Sequence, residues 1–207
     1  MATTTTISQV GEFPLISSMV GDLTMGQAVT LGPGDDGAVF QVDGSAVVST
    51  DVLVEEVHFR RRWSTATDVG RKAVAVNVSD IEAMGAVPVA LVVGFSAPGD
   101  LPASWAREFM AGMTAESQKA GVSVVGGDTT GGPVVSIAVT VIGQTAGMAP
   151  VRRDGAVPGD EVAVIGQLGL AAAGLALLGR GFRSPRAVVA APVSYTHLRA
   201  HETRGNL

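Results

Sequence analysis

The chain has 207 residues, 46% of them hydrophobic, with 14 basic and 19 acidic side chains for a formal net charge of -5. That is enough apolar material for a sizeable core, while the acidic balance argues against general nucleic-acid binding, which needs a basic face against phosphate. With no cysteine, disulfides, thiolate metal sites and thiol nucleophiles are excluded, and an anionic ligand calls for a metal ion as go-between.

Residues 1–10 are polar and threonine-rich and are expected to be loose, without the basic-then-apolar pattern of a secretory signal. A short amphipathic helix is expected around 13–19. The runs AVFQV (38–42) and SAVVSTDVL (45–53) read as strands, and the DG between them as a hairpin turn. STATDVGRKAVAVNVSDIEAMGA (64–86) reads as a helix, capped by Thr67 or Asp68 and ended at Gly85. VPVALVVGFSA (87–97) is a predicted strand. Residues 101–121 follow as a helix, with Pro102 at its start and Gly121 at its end. A short strand (122–129) breaks into a glycine loop, and a long strand (133–145) follows. This order predicts an α+β fold, a mixed β-sheet with helices on one face.

RRDGAVPGDE (152–161) has the turn chemistry of a linker, and a new strand and helix are expected to begin near Asp160. The apolar stretch 164–179 is short for a membrane span and interrupted by Gln167 and several glycines. It predicts a buried strand running into a buried helix of a soluble, cytoplasmic protein. The expected organisation is a domain at 1–150, the start of a second at 151–193, and a tail at 194–207. That tail breaks the preceding composition, as a segment foreign to the fold would.

Four carboxylates lack an obvious structural use. Asp36 enters a strand from the turn GPGDDG, Asp51 interrupts AVVSTDVL, Asp80 lies in an otherwise apolar helix, and Asp128 ends the run VVGGD. An unpaired buried carboxylate is costly and tends to protonate, so several together ask for a cation. Oxygen donors without Cys or paired His suit a hard ion such as Mg²⁺, and Ser49 and Thr50 beside Asp51 extend the set. Each Asp by itself is equally well a cap or turn residue. There is no P-loop, no kinase-type glycine loop with its HRD partner and no G-x-S-x-G elbow. GGDTTGG (126–132) lets backbone approach a phosphate, a weak signal alone.

In order, GEFPLI, GPGDDGAV, STDVLVEEVHF, RKAVAVNVSDIEAMGAVP, GGDTTGG and RRDGAVPGDEVAVIGQLGLAAAGLALL resemble the thiamine-monophosphate kinase family over residues 11–180. The wider superfamily includes aminoimidazole ribonucleotide synthetase. The resemblance implies the N-terminal fold of that synthetase, with sheets pairing into a barrel in a homodimer. It implies ATP-dependent phosphorylation of thiamine monophosphate to thiamine diphosphate, assisted by several Mg²⁺ ions. Asp36, Ser49, Thr50, Asp51, Asp80 and Asp128 would hold Mg²⁺, and Asp35 would serve the turn. Gly127, Asp128 and Arg153 would touch ATP, and His58 would touch the substrate. No general base is assigned, because a phosphate monoester is already anionic near neutral pH. Gly131 stands where the family carries Arg. The alternatives are another ATP-using member of the superfamily, or a nucleotide-binding and dimerisation fragment without activity. The four Asp carboxylates are expected to converge on one pocket.

Overall fold

The computed structural model describes residues 5–164 and 168–194. Two helices, α1 (Ile7–Val10) and α2 (Glu12–Val20), precede a small antiparallel pair, β1 (Val29–Leu31) and β2 (Val39–Phe40). The main sheet follows, interleaved with two long helices: β3 (Ala46–Val54), α3 (Ala66–Ala83), β4 (Val87–Ala97), α4 (Ala103–Ala120), β5 (Ser123–Gly131) and β6 (Ser136–Gln144). Its strand order is β3-β6-β4-β5, antiparallel except for the β4–β5 pair. Two further helices, α5 (Leu170–Gly179) and α6 (Arg186–Ser194), end the described chain.

Strand alternation decides which face each residue joins. In β6, Ile137, Val139 and Val141 are buried under α3 and α4, while Ala138, Thr140 and Ile142 face the other way. Val93, Phe95 and Ala97 of β4 extend the covered face. The helices cross closely because Gly70 meets the backbone of Phe109 and Met113, and Gly112 meets that of Thr67. A Cβ at either position would collide with main chain that has no room to yield. Phe59, Phe95, Trp105 and Phe109 stack at the same end of the core, with centroids 5.5–6.5 Å apart.

The opposite face is covered only in part. Val89, Ala90 and Val125 are buried beneath Met25, Val29 and Phe40 of the β1–β2 region. Further along, Val48, Val52 and Val92 stay 62%, 46% and 39% exposed.

The structure agrees with the expected mixed sheet and one-sided helices, and α3, β4, α4, β5 and β6 fall close to their predicted ranges. The hairpin expectation is corrected. β2 pairs with β1, whereas β3 pairs along its whole length with β6, from Ala46↔Gln144 to Val54↔Ser136. Asp43 and Gly44 make a bend at the rim of that ladder. Asp43 N–H donates to Gln144 Oε1 (2.8 Å) and its carbonyl accepts from Ala146 N–H (3.0 Å). A nine-residue partner in β6 outweighs a local return to a two-residue strand.

Three further expectations are corrected. Residues 7–10 are helical, anchored by Ile7 N–H to Leu101 O and Ser8 N–H to Gly99 O, each 2.9 Å. The cap of α3 is Thr65, which shares a reciprocal capping box with Asp68. Residues 161–164 form no strand, joining no ladder, and α5 is only partly covered, with Leu175 53% exposed. Of the expected tail at 194–207, Ser194 belongs to α6 and the rest lies outside the described residues.

Candidate active site

The sequence-selected residues fall into two groups, one at each edge of the sheet. The first gathers where β3 passes α3. Ser49 and Asp51 occupy the same face of β3, opposite Val141 and Val139 of β6 and therefore toward the helices. Helix α3 supplies Asp80 near its C-terminal end, and Ser49 Oγ donates to Asp80 Oδ2 at 2.8 Å. Partial burial raises the Asp51 carboxyl above its ordinary value of 3.8; Asp80 raises it further, and His58 opposes the shift. So Asp51 lies within electrostatic reach of both Asp80 and His58. Thr50, one residue away, belongs to the other face. Its hydroxyl donates to Val139 O (3.0 Å) and meets Thr140 Oγ1 (3.1 Å).

Ser49 and Asp80 line an open cavity of roughly 850 Å³, bordered also by residues 150–153, Gly155, Ala156 and Asp160. Val151 N–H, bonded to Met84 O at 2.8 Å, ties this segment to the end of α3. Arg152 and Arg153 both line the cavity, and Arg152 is held by both oxygens of Asp154 at 3.0 and 2.9 Å. Ser49, Asp80 and two arginines thus border one space, a residue set suited to a phosphate chain carried with a cation.

The second group sits at the β5 edge. Gly127 pairs with Val93 and Asp128 with Gly94 in the parallel β4–β5 ladder. Gly127 passes so close to the Val93 carbonyl that a side chain would collide with it. Asp36 lies on the turn before β2, where its N–H is taken by Asp35 Oδ1 at 2.8 Å. Asp35, Asp36, Gly127 and Asp128 rim a cavity of roughly 640 Å³ whose walls are mostly apolar, including Met19, Leu23, Phe95 and Met110. Its lining suits a weakly polar ring system with charge at the mouth.

The expected convergence of four carboxylates is not what one chain builds. Asp51, Val139, Val93 and Gly127 share one row across the sheet. Three strand spacings separate its ends, about 14 Å. Among the described residues no three His, Cys, Asp or Glu side chains form a metal-holding group. Each edge holds two of the four predicted carboxylates, and the oxygen-only donors at each fit Mg²⁺ as partial sites.

Two residues lie outside the predicted site set. Asn77 is fully buried on α3, one turn before Asp80; its Nδ2 donates to Ala73 O at 2.8 Å, and its Oδ1 has no partner. An amide at the centre of an apolar helix face was a legible signal. Lys72 donates to the His58 carbonyl at 2.8 Å, a contact between distant segments that periodicity does not reveal.

A family model for the AIR synthase related protein, N-terminal domain, matches residues 34–145. The thiamine-monophosphate kinase of Mycobacterium tuberculosis is 49% identical over 173 residues, 83% of this chain and 52% of its own length. The crystal structure of thiamine-monophosphate kinase from Stenotrophomonas maltophilia superposes with a TM-score of 0.68 at 36% identity, covering 81% of this chain and 51% of that one. A structure of AaThiL complexed with AMPPCP and TMP gives a TM-score of 0.66 at 30% identity, covering 96% and 64%. The chain spans about half the length of the curated relatives it matches.

Proposed function

Because the chain belongs to the thiamine-monophosphate kinase family, we propose that it is the N-terminal part of an enzyme that transfers the terminal phosphoryl group of ATP onto thiamine monophosphate. The product is thiamine diphosphate. The observation that carries this reading is the β3–α3 site, where Ser49 and Asp80 are hydrogen-bonded and Arg153 lines the same cavity. A complex with AMPPCP and TMP in a relative of the same fold supports it. In this reading residues 1–150 form one domain, residues 151–193 begin a second, and the enzyme works in the cytoplasm. No described helix is long and apolar enough to cross a membrane.

Asp51, Asp80 and Ser49 would hold Mg²⁺ at the β3 edge, and Asp36 and Asp128 at the β5 edge. Bound there, Mg²⁺ would neutralise the two repelling phosphate groups and the charge that develops between them. The chain's own work is positioning. Ser49 orients Asp80, Arg153 binds phosphate oxygens, and Gly127 lets backbone approach the nucleotide beside Asp128. The apolar cavity under Asp36 and Asp128 takes the nucleotide base. Thr50 is left out of the ligand set, because its hydroxyl faces away and is already engaged. No base is required, since the accepting oxygen is already ionised.

The uncovered half of the sheet, with Val48, Val52 and Val92 exposed, supports a homodimer in which two such faces cover each other. The direct test of function is a turnover assay on the full-length protein with ATP, Mg²⁺ and thiamine monophosphate, following thiamine diphosphate. ATP consumption without that product would overturn the substrate assignment.

A further inference from the structure

We propose that Arg152 is a second phosphate-binding guanidinium of the β3-edge cavity, held in its binding orientation by Asp154. This deepens the proposed function and rests on it for the class of ligand, a nucleoside triphosphate. Arg152 lines the same cavity as Ser49, Asp80 and Arg153. Its Nε–H donates to Asp154 Oδ1 at 3.0 Å, and its Nη2 donates to Oδ2 at 2.9 Å. The carboxylate therefore occupies the side edge of the guanidinium plane. The end edge keeps both Nη1 hydrogens and the second Nη2 hydrogen, and no acceptor meets it among the described residues. That edge is a planar fork able to take two oxygens of one phosphate.

The local chain builds this arrangement. Val151 N–H donates to Met84 O at 2.8 Å, and Val151 packs on Gly85, where an added Cβ would stand 2.9 Å from Val151 Cγ2. The segment is thus pinned to the end of α3 one residue before Arg152. Gly155 N–H then returns to Arg152 O at 3.1 Å, closing a turn with glycine at its fourth position. This turn brings Asp154 back beside the arginine two residues earlier. As a source of stability the ion pair counts for little, because its side chains are 72% and 71% exposed and solvent screens their charges. Its consequence is a guanidinium ordered before the ligand arrives, so that less side-chain freedom is lost on binding. Arg152 is the group that meets phosphate, and Asp154 is a positioning residue.

The test is calorimetric titration of the full-length protein and its variants with AMPPCP in the presence of Mg²⁺. Arg152→Ala should weaken AMPPCP binding by about 10-fold or more. Arg152→Lys keeps the charge but loses the fork, and should still bind about 5-fold more weakly than the parent. Asp154→Ala should weaken binding by about 3-fold, and should add nothing in an Arg152→Ala background, because the two side chains act as one unit. Melting temperatures of all variants should stay within about 1 °C of the parent, since an exposed pair is lost. If Arg152→Ala melts far lower, the Lys variant carries the comparison. Unchanged affinity in Arg152→Ala, or parent-like affinity in Arg152→Lys, overturns the phosphate contact. An Asp154→Ala loss that persists without Arg152, no loss, or tighter binding overturns the positioning role. In each of these cases the proposed function survives, because the parent binds AMPPCP. A parent that binds no AMPPCP overturns the proposed function, and the inference with it.

Discussion

The two edges of the main sheet carry cavities that differ in their charged groups. At β3, Ser49, Asp80, Arg152 and Arg153 border a space shared with apolar residues such as Ile81 and Met84. At β5, Met19, Leu23, Phe95 and Met110 wall an apolar space with Asp36 and Asp128 at its mouth. Both edges are built from the same alternating strands, so the difference comes from what packs beside them. The end of α3 brings a carboxylate to one edge, whereas α2 brings an apolar face to the other. A sheet four strands wide keeps the two sites apart within one chain, and the proposed nucleotide, a phosphate chain attached to a flat base, would need both.

The largest expected effect tests the charged edge. Asp80→Asn in the full-length protein should lower turnover by about 100-fold or more if, as proposed, its carboxylate holds Mg²⁺ in the transition state. Its melting temperature without metal should stay level or rise slightly, since one of two neighbouring carboxylates is gone. The rise in melting temperature produced by Mg²⁺ and ATP in the parent protein should disappear. Retained turnover together with a much lower metal-free melting point would make Asp80 structural.

Next comes the backbone of the apolar edge. Gly127→Ala drives a methyl group into the Val93 carbonyl, whereas Gly126→Ala meets open space. The first should cost about 1–3 kcal/mol and the second less than about 0.5 kcal/mol. Thermal melts of the two variants read the difference, and equal melting points would remove the close approach from the account. Between the edges lies the uncovered face. Val48→Glu should weaken self-association by about 10-fold or more, because a charge would enter an apolar contact. Sedimentation of parent and variant measures this, and a parent that stays monomeric at micromolar concentration would end the dimer proposal.

The smallest effect is the pH dependence of Asp51. Its folded pKa stands above 3.8, so the folded chain binds this proton more tightly than the unfolded chain does. That contribution is full below pH 3.8 and is lost as the pH rises through the folded value. At neutral pH the ionised carboxyl therefore opposes folding. Asp51→Asn should raise the metal-free melting temperature at pH 7 by about 1 °C, a small shift because solvent screens the exposed part of the group. The advantage should vanish toward pH 4, and a difference that persists there would assign it to packing.

Much of the frame was legible without coordinates. The β-branched run of β4 fell at its predicted residues, and Pro102 and Gly121 bracket α4 as their chemistry demands. Local signals failed where a remote partner outbid them. The DG at 43–44 favours a hairpin, but β6 offered β3 a longer ladder than β2 could. Threonines in the first residues suggest a loose end, yet Leu101 and Gly99 accept from the N–H groups of Ile7 and Ser8. The candidate site was legible as a list of residues and not as an arrangement. Asp51 and Asp80 are neighbours because β3 lies under α3, and Asp36 joins Asp128 only through the cavity at the other edge.

The sequence by itself determined the element types, that Thr50 faces opposite to Ser49 and Asp51 once they share a strand, and the absence of thiol or P-loop motifs, because alternation, caps and residue identity act over a few residues. Only the tertiary structure decided that Ser49 and Asp51 face the helices, that the four carboxylates divide between the two edges about a sheet's width apart, and that Lys72 and Val54 hydrogen-bond to His58. Those outcomes depend on strand order and helix docking. They are set by burial summed over the whole core, which no short stretch of sequence contains.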